Sequence, residues 1–216
     1  MRKIIATWLC ISFVSFTSGC ASMGATEKGA LAGAGVGALI GGLVSKDDHP
    51  ARGALIGAAL GAIAGAVIGH YIDKKQKSAE ETATVYGYEP EEGTVVNVEE
   101  VAMEPSVIRP GEASKLVINY AILSPDSERA IPVTEMREIT TSGKSLKEIG
   151  PAVKKRNSGT YITEQEVTFP ANLPEGLYTL KGTVKAEGKT STKETDFRVA
   201  KIQDGSGYLY AINRVE

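Results

Sequence analysis

Chemistry-bearing residues are scarce in this 216-residue chain. It holds two cysteines and two histidines, and aromatic residues make up 6% of it. Beyond residue 70 there is neither histidine nor cysteine. That excludes a Ser-His-Asp or Cys-His set, a redox CxxC pair and a zinc-spaced cysteine cluster there. Charge of one sign is lacking too. There are 24 basic and 26 acidic residues, so no basic excess of the kind a nucleic-acid binder presents is found.

Glycine is present in quantity and strictly placed. Gly29, Gly33, Gly37 and Gly41 form one row four residues apart. Gly53, Gly57, Gly61, Gly65 and Gly69 form a second. In water glycine weakens a helix by about 1 kcal/mol relative to alanine. In lipid, helices associate through close packing of small residues, and such a row becomes a smooth contact groove. The rows predict two helices, about Glu27–Val44 and Ala51–Ile72, as an antiparallel hairpin. Ser45–Pro50 is its charged break, with Pro50 suited to a first turn. At 1.5 Å per residue the helices reach about 27 Å and 33 Å, against a hydrocarbon core of about 30 Å. Their large apolar residues are few, Leu39, Leu43, Leu55 and Ile63 among them, so insertion depends on pairing. Second stripes, Ala30-Ala34-Ala38-Gly42 and Ala54-Ala58-Ala62-Ala66, suit a neighbouring copy and predict a homo-oligomer.

Two other readings of this stretch are weaker. Gly33 to Ala38 fits part of a dinucleotide fingerprint, but that motif requires a preceding strand. A flexible linker would be serine-rich and would lack a strict period.

The N-terminus carries an address. Arg2 and Lys3 precede an apolar run, Ile4 to Phe16, followed by Thr17-Ser18-Gly19-Cys20. This is the layout of a secretory signal. Ser18-Gly19-Cys20 resembles the lipobox of bacterial lipoproteins, although Thr17 stands where leucine is common. The resemblance implies cleavage after residue 19, a lipid on Cys20 (diacylglycerol and an acyl chain such as palmitate) and, with Ala21 next, sorting to the outer membrane. No other cofactor is expected. The mature chain would have no free thiol, although the periplasm permits disulfides. Removing residues 1–19 leaves 22 basic against 26 acidic residues, a net of −4.

Lipobox and paired Gly-xxx-Gly helices together resemble the glycine-zipper 2TM family of bacterial outer-membrane lipoproteins, which includes the rickettsial surface antigen lipoproteins and the SlyB-like proteins. The resemblance covers about residues 17–75. It implies a role in envelope structure and transfers no active-site residues. Lys74, Lys75 and Lys77 read as a basic end-stop to the second helix.

The remainder alternates apolar and polar residues between Pro and Gly turn signals. Seven strands are predicted, at 94–103, 113–123, 131–139, 144–153, 160–169, 176–186 and 190–200. Val96, Val98, Val107, Leu116, Ile118 and Tyr120 are placed inward. Spaced short strands suggest a sandwich. Val107-Ile108-Arg109-Pro110-Gly111-Glu112 and Leu173-Pro174-Glu175-Gly176-Leu177-Tyr178 resemble segments of bacterial Ig-like domains. Tyr178 is placed as a tyrosine corner, its hydroxyl bonding backward. Glu99, Glu100, Glu128, Glu135, Glu138, Glu164 and Glu166 are assigned to exposed faces, and Lys154-Lys155-Arg156 to a loop. His49 and His70 are assigned to the loop and the second helix end.

The expected architecture is therefore an α + β multidomain chain. It comprises signal peptide 1–19, lipidated N-terminus 20–26, glycine-zipper transmembrane hairpin 27–72, linker 73–93, all-β Ig-like sandwich 94–200 and tail 201–216. The expected function is a noncatalytic outer-membrane lipoprotein with a periplasmic C-terminal domain, supporting or scaffolding the envelope. Its expected partners are membrane lipid, further copies of itself and an envelope protein. The alternatives are a membrane-anchored module whose sandwich recognises a protein or glycan, and a pore-forming oligomer. The hairpin lacks a polar stripe to line a pore.

Overall fold

Alternation decides the architecture, because each strand must bury one face. The computed structural model describes residues 67–205 and 207–215. Among the described residues ten strands are present: β1 Val67–Lys77, β2 Val95–Glu104, β3 Val107–Ile108, β4 Ala113–Leu123, β5 Ile131–Thr141, β6 Lys144–Arg156, β7 Gly159–Thr168, β8 Gly176–Ala186, β9 Lys189–Asp204 and β10 Gly207–Arg214. They form two antiparallel sheets. The smaller has the order β1-β7-β4-β2 and the larger β3-β10-β9-β8-β5-β6.

The seven strands predicted between 94 and 200 are all present. The core between the sheets holds Leu116, Ile118 and Ile122 from β4, Ile131, Val133 and Ile139 from β5, and Phe197 and Val199 from β9. Tyr178 bonds as a tyrosine corner should: its hydroxyl donates to the Pro174 carbonyl at 2.8 Å. Gly182 faces the opposite sheet. A Cβ there would stand 2.7 Å from Val101 Cγ2, so glycine allows β2 and β8 to approach closely.

Four expectations are corrected. Residues 67–72 form a strand, not the end of a helix, and Gly69 lies within that strand. Val67, Ile68, Tyr71 and Ile72 are β-branched or aromatic and favour a half-buried strand, and β7 supplies the ladder. A bulge between Ile68 and Tyr71 sets Gly69 close over Glu166, whose carboxylate would lie 3.0 Å from an added Cβ. Residues 73–93 are no linker either. They hold the rest of β1, a helix α1 at Ala79–Tyr86 and a 3-10 turn at Pro90–Glu92. Ser78 and Glu81 form a capping box at the start of α1, and Gly87 ends it in the left-handed region. In the tail, residues 201–204 extend β9 and residues 207–214 form β10. Finally, Val107 is 46% exposed while Ile108, paired with the buried Tyr210 of β10, is the inward residue.

The signal peptide, Cys20, His49 and the glycines at 29, 33, 37, 41, 53, 57, 61 and 65 lie outside the described residues. Among the described residues, no helix is long and apolar enough to cross a membrane.

Candidate functional site: the β1 junction

One part of the interior is polar and charged. Where β1 and β7 face β5 and β6, the inward positions are Tyr71, Thr163, Gln165, Glu135, Arg137 and Arg156. Glu135 is fully buried, contrary to the exposed face expected for it, and Arg137 is 2% exposed. The Lys154-Lys155-Arg156 run is not a loop. It closes β6, and Arg156 is 8% exposed.

Glu135 is the centre of the cluster. Tyr120 from β4 donates its hydroxyl to Oε1 at 2.7 Å. Tyr71 from β1 donates to both carboxylate oxygens at 2.9 Å. Arg137 Nη1 lies 3.5 Å from Oε2, and Arg156 Nη2 lies 3.6 Å from Oε1. Asp73, also on β1, meets Arg156 at 3.3 Å. The remaining donors of Arg137 reach Leu116 O at 3.1 Å and the Thr163 hydroxyl at 2.7 Å. Two carboxylates thus balance two guanidiniums.

Burying ions is expensive unless geometry and further hydrogen bonds compensate, and here both do. Burial pushes the Tyr71 and Tyr120 phenols well up, and the charge of Glu135 adds to the effect. Both hydroxyls therefore stay protonated and remain donors. Burial also lowers the pKa of Arg137, against the pull of Glu135. The cations also stack: Arg156 lies 4.8 Å from the Tyr161 ring centroid, and Lys154 lies 4.7 Å from that of Tyr71.

Chemically, this is a clamp on β1. Two β1 side chains, Tyr71 and Asp73, are held by Glu135 of β5 and Arg156 of β6, which Tyr120 of β4 bonds in turn. The sequence signal was faint, because β5 alternates cleanly only if Glu135 and Arg137 are read as inward. His70 is not part of the clamp. Its side chain is 90% exposed and lies 3.8 Å from Glu166. Among the described residues, no three His, Cys, Asp or Glu side chains gather to hold a metal ion. A separate apolar cavity of about 110 Å³ lies between β2 and β8 to β10, lined by Val101, Met103, Leu180, Phe197 and Ile212.

A second arrangement seals the opposite side of the smaller sheet. Three alternate residues of β9, Ser191, Lys193 and Thr195, serve the backbone of the edge strand β2. Val98 N–H donates to Ser191 Oγ at 2.9 Å. Lys193 Nζ donates to Glu99 O, and Thr195 Oγ1 to Val101 O at 2.7 Å. An edge strand left open invites pairing with another chain.

Residues 1–73 match the YMGG-like Gly-zipper family. The match names that glycine-zipper family rather than the rickettsial or SlyB-like lipoproteins, and it is compatible with a membrane-associated module. It ends inside β1, at Asp73, so the matched segment itself supplies Tyr71 and Asp73 to the clamp. No match was found among curated proteins. Partial likeness to solved structures is present. A β-glucuronidase from Parabacteroides merdae is 19% identical over 56% of this chain, with a TM-score of 0.31, and only 16% of that enzyme is covered. The CARDB domain of the PF1109 protein from Pyrococcus furiosus is 14% identical, with 47% of this chain and 84% of that one covered and a TM-score of 0.29. PapD-like domain 7 of human CEP192 is 10% identical, with 50% and 84% covered and a TM-score of 0.27.

Proposed function

We propose that this protein is a noncatalytic scaffold of the bacterial outer membrane. Cys20 carries lipid, the glycine rows pack in the bilayer with further copies, and the sandwich stands in the periplasm. The observation that carries this reading is the clamp. A flexible linker would let the sandwich drift from its anchor. Instead, the segment that matches the Gly-zipper family ends as a strand of the sandwich, tied to it by the Tyr71–Glu135 hydrogen bonds and the Asp73–Arg156 pair. Movement or load on the anchor is thereby passed to the folded part. Scaffolding needs that stiffness, whereas a tethered catalyst or a freely searching binding module does not.

The test is membrane fractionation of the wild type and of Cys20→Ala secreted with a cleavable signal, each washed in alkaline carbonate. The expected result is that the alanine variant stays with the washed outer membrane through its glycine segment. Release of the variant into the wash would overturn an integral hairpin and leave lipid as the sole anchor.

A further inference from the structure

One end of the sandwich collects exposed apolar side chains, and it is the end at which the chain enters. β1 starts at Val67, opposite Thr168 of β7, which in turn pairs with Ala113 of β4. From Thr168 the chain turns through residues 169–175 into β8. The Ala171 carbonyl in that turn accepts the hydroxyls of Tyr208 at 2.9 Å and Tyr210 at 2.6 Å. The turn between β9 and β10 therefore sits at this same end. Ile68, Leu177, Ile202 and Tyr208 are 40–50% exposed here. Ile202 pairs directly with Leu209 across the β9–β10 hairpin, which gives its outer face an apolar tip. Lys201 lies 5.2 Å from the Tyr208 ring centroid.

We propose that this end of the sandwich docks on the lipid bilayer, with Ile202 and Leu209 entering the interface and Tyr208 and Lys201 at headgroup level. The proposal rests on the membrane reading above. Tyrosine belongs at that depth, since its ring is apolar and its hydroxyl polar, and lysine covers apolar surface with its stem while its ammonium stays in water. The point of chain entry selects lipid over another protein. The 66 residues that precede Val67 include the first glycine row and Gly53, Gly57, Gly61 and Gly65 of the second, and Gly65 stands two residues before β1. If those rows lie in lipid, the first residues of β1 are held at the membrane surface, and the exposed side chains at that end face the bilayer. Arg109 pairs with Glu112, and the Glu175 carboxylate lies beside Lys201, accepting its backbone N–H, so apolar contact, rather than attraction to anionic lipid, drives the docking.

The test places one indole at a time. The chain has a single tryptophan, Trp8, so full-length Trp8→Phe is a silent background. On it, Tyr208→Trp and, separately, Ile202→Trp report from the docking end. Glu128→Trp reports from the opposite end, where Ser158 N–H donates to Ser127 O in the adjoining turn. Each is reconstituted in phosphatidylethanolamine–phosphatidylglycerol vesicles with brominated acyl chains, and co-sedimentation is scored first. The expected result is loss of most indole emission in the Tyr208→Trp and Ile202→Trp proteins and none in the Glu128→Trp protein. Vesicle-bound protein with unquenched indoles at 208 and 202 would overturn the docking while leaving the anchor intact. Protein that fails to sediment would overturn the membrane reading itself, and the docking with it.

Discussion

Tyr71 and Glu135 stand 64 positions apart in sequence and meet at 2.9 Å between the two sheets. The tyrosine belongs to the segment that carries the glycine rows, and the carboxylate belongs to the middle of the sandwich. Their contact ties an expected helix end into the sandwich as a strand.

Removing that contact is the first prediction. Tyr71→Phe leaves the buried Glu135 carboxylate short of a donor and should lower stability by about 1–3 kcal/mol. Glu135→Leu should do more, about 3–5 kcal/mol, because Arg137 and Arg156 are then left buried without their common partner. Urea denaturation followed by far-UV circular dichroism measures both. Equal stability of wild type and Tyr71→Phe would mean that β1 is held by its ladder alone.

Alkaline stability follows from the raised phenols. Burial lifts Tyr71, Tyr120 and Tyr178 above the ordinary value of 10. In the unfolded chain these groups ionise near 10, and in the folded one they resist. Stability is therefore fully present below that pH and declines as pH rises past it toward the folded values. Phenolate absorbance should lag behind that of free tyrosine and then rise together with unfolding. A titration in which all eight tyrosines ionise near pH 10 with the fold intact would contradict this.

The β2 edge supplies a third. Thr195→Val keeps the shape but removes the hydroxyl that serves Val101 O. A loss of about 0.5–1.5 kcal/mol is expected. Ser191→Ala combined with Thr195→Val should also expose edge backbone, so size-exclusion chromatography should show concentration-dependent association that the wild type lacks.

Sheet spacing gives the fourth. Gly182→Ala sets a Cβ 2.7 Å from Val101 and 3.1 Å from Ile118. Both neighbours are buried and neither can withdraw freely, so the change should cost about 1–3 kcal/mol. Thermal melting would show it directly, and an unchanged Tm would imply that β2 can shift outward.

Legibility was uneven for definite reasons. β5, β7 and β8 were readable because one face is buried and the other wetter, which writes itself as a period of two. β10 was missed because Leu209, Tyr210, Ala211 and Ile212 are apolar on both faces, so no alternation marks it. β1 was hidden by Gly69, which continues the four-residue glycine row into a strand. Ser191, Lys193 and Thr195 broke the apolar pattern of β9, yet they are placed where the edge of β2 needs hydrogen bonds.

Composition and period alone determined that an all-β sandwich follows a glycine-rich segment, and where most strands start and stop. These are local properties: turn residues act on their own backbone, and alternation records which face is dry. Whether residues 67–77 end a helix or begin the sandwich is not local. A short run of Val, Ile, Tyr and Gly suits either state, and the choice falls to partners far along the chain. Only the tertiary structure brings the β7 ladder, Glu135 and Arg156 to Tyr71 and Asp73, and the hydrogen bonds and ion pairs formed there outweigh what the segment prefers by itself.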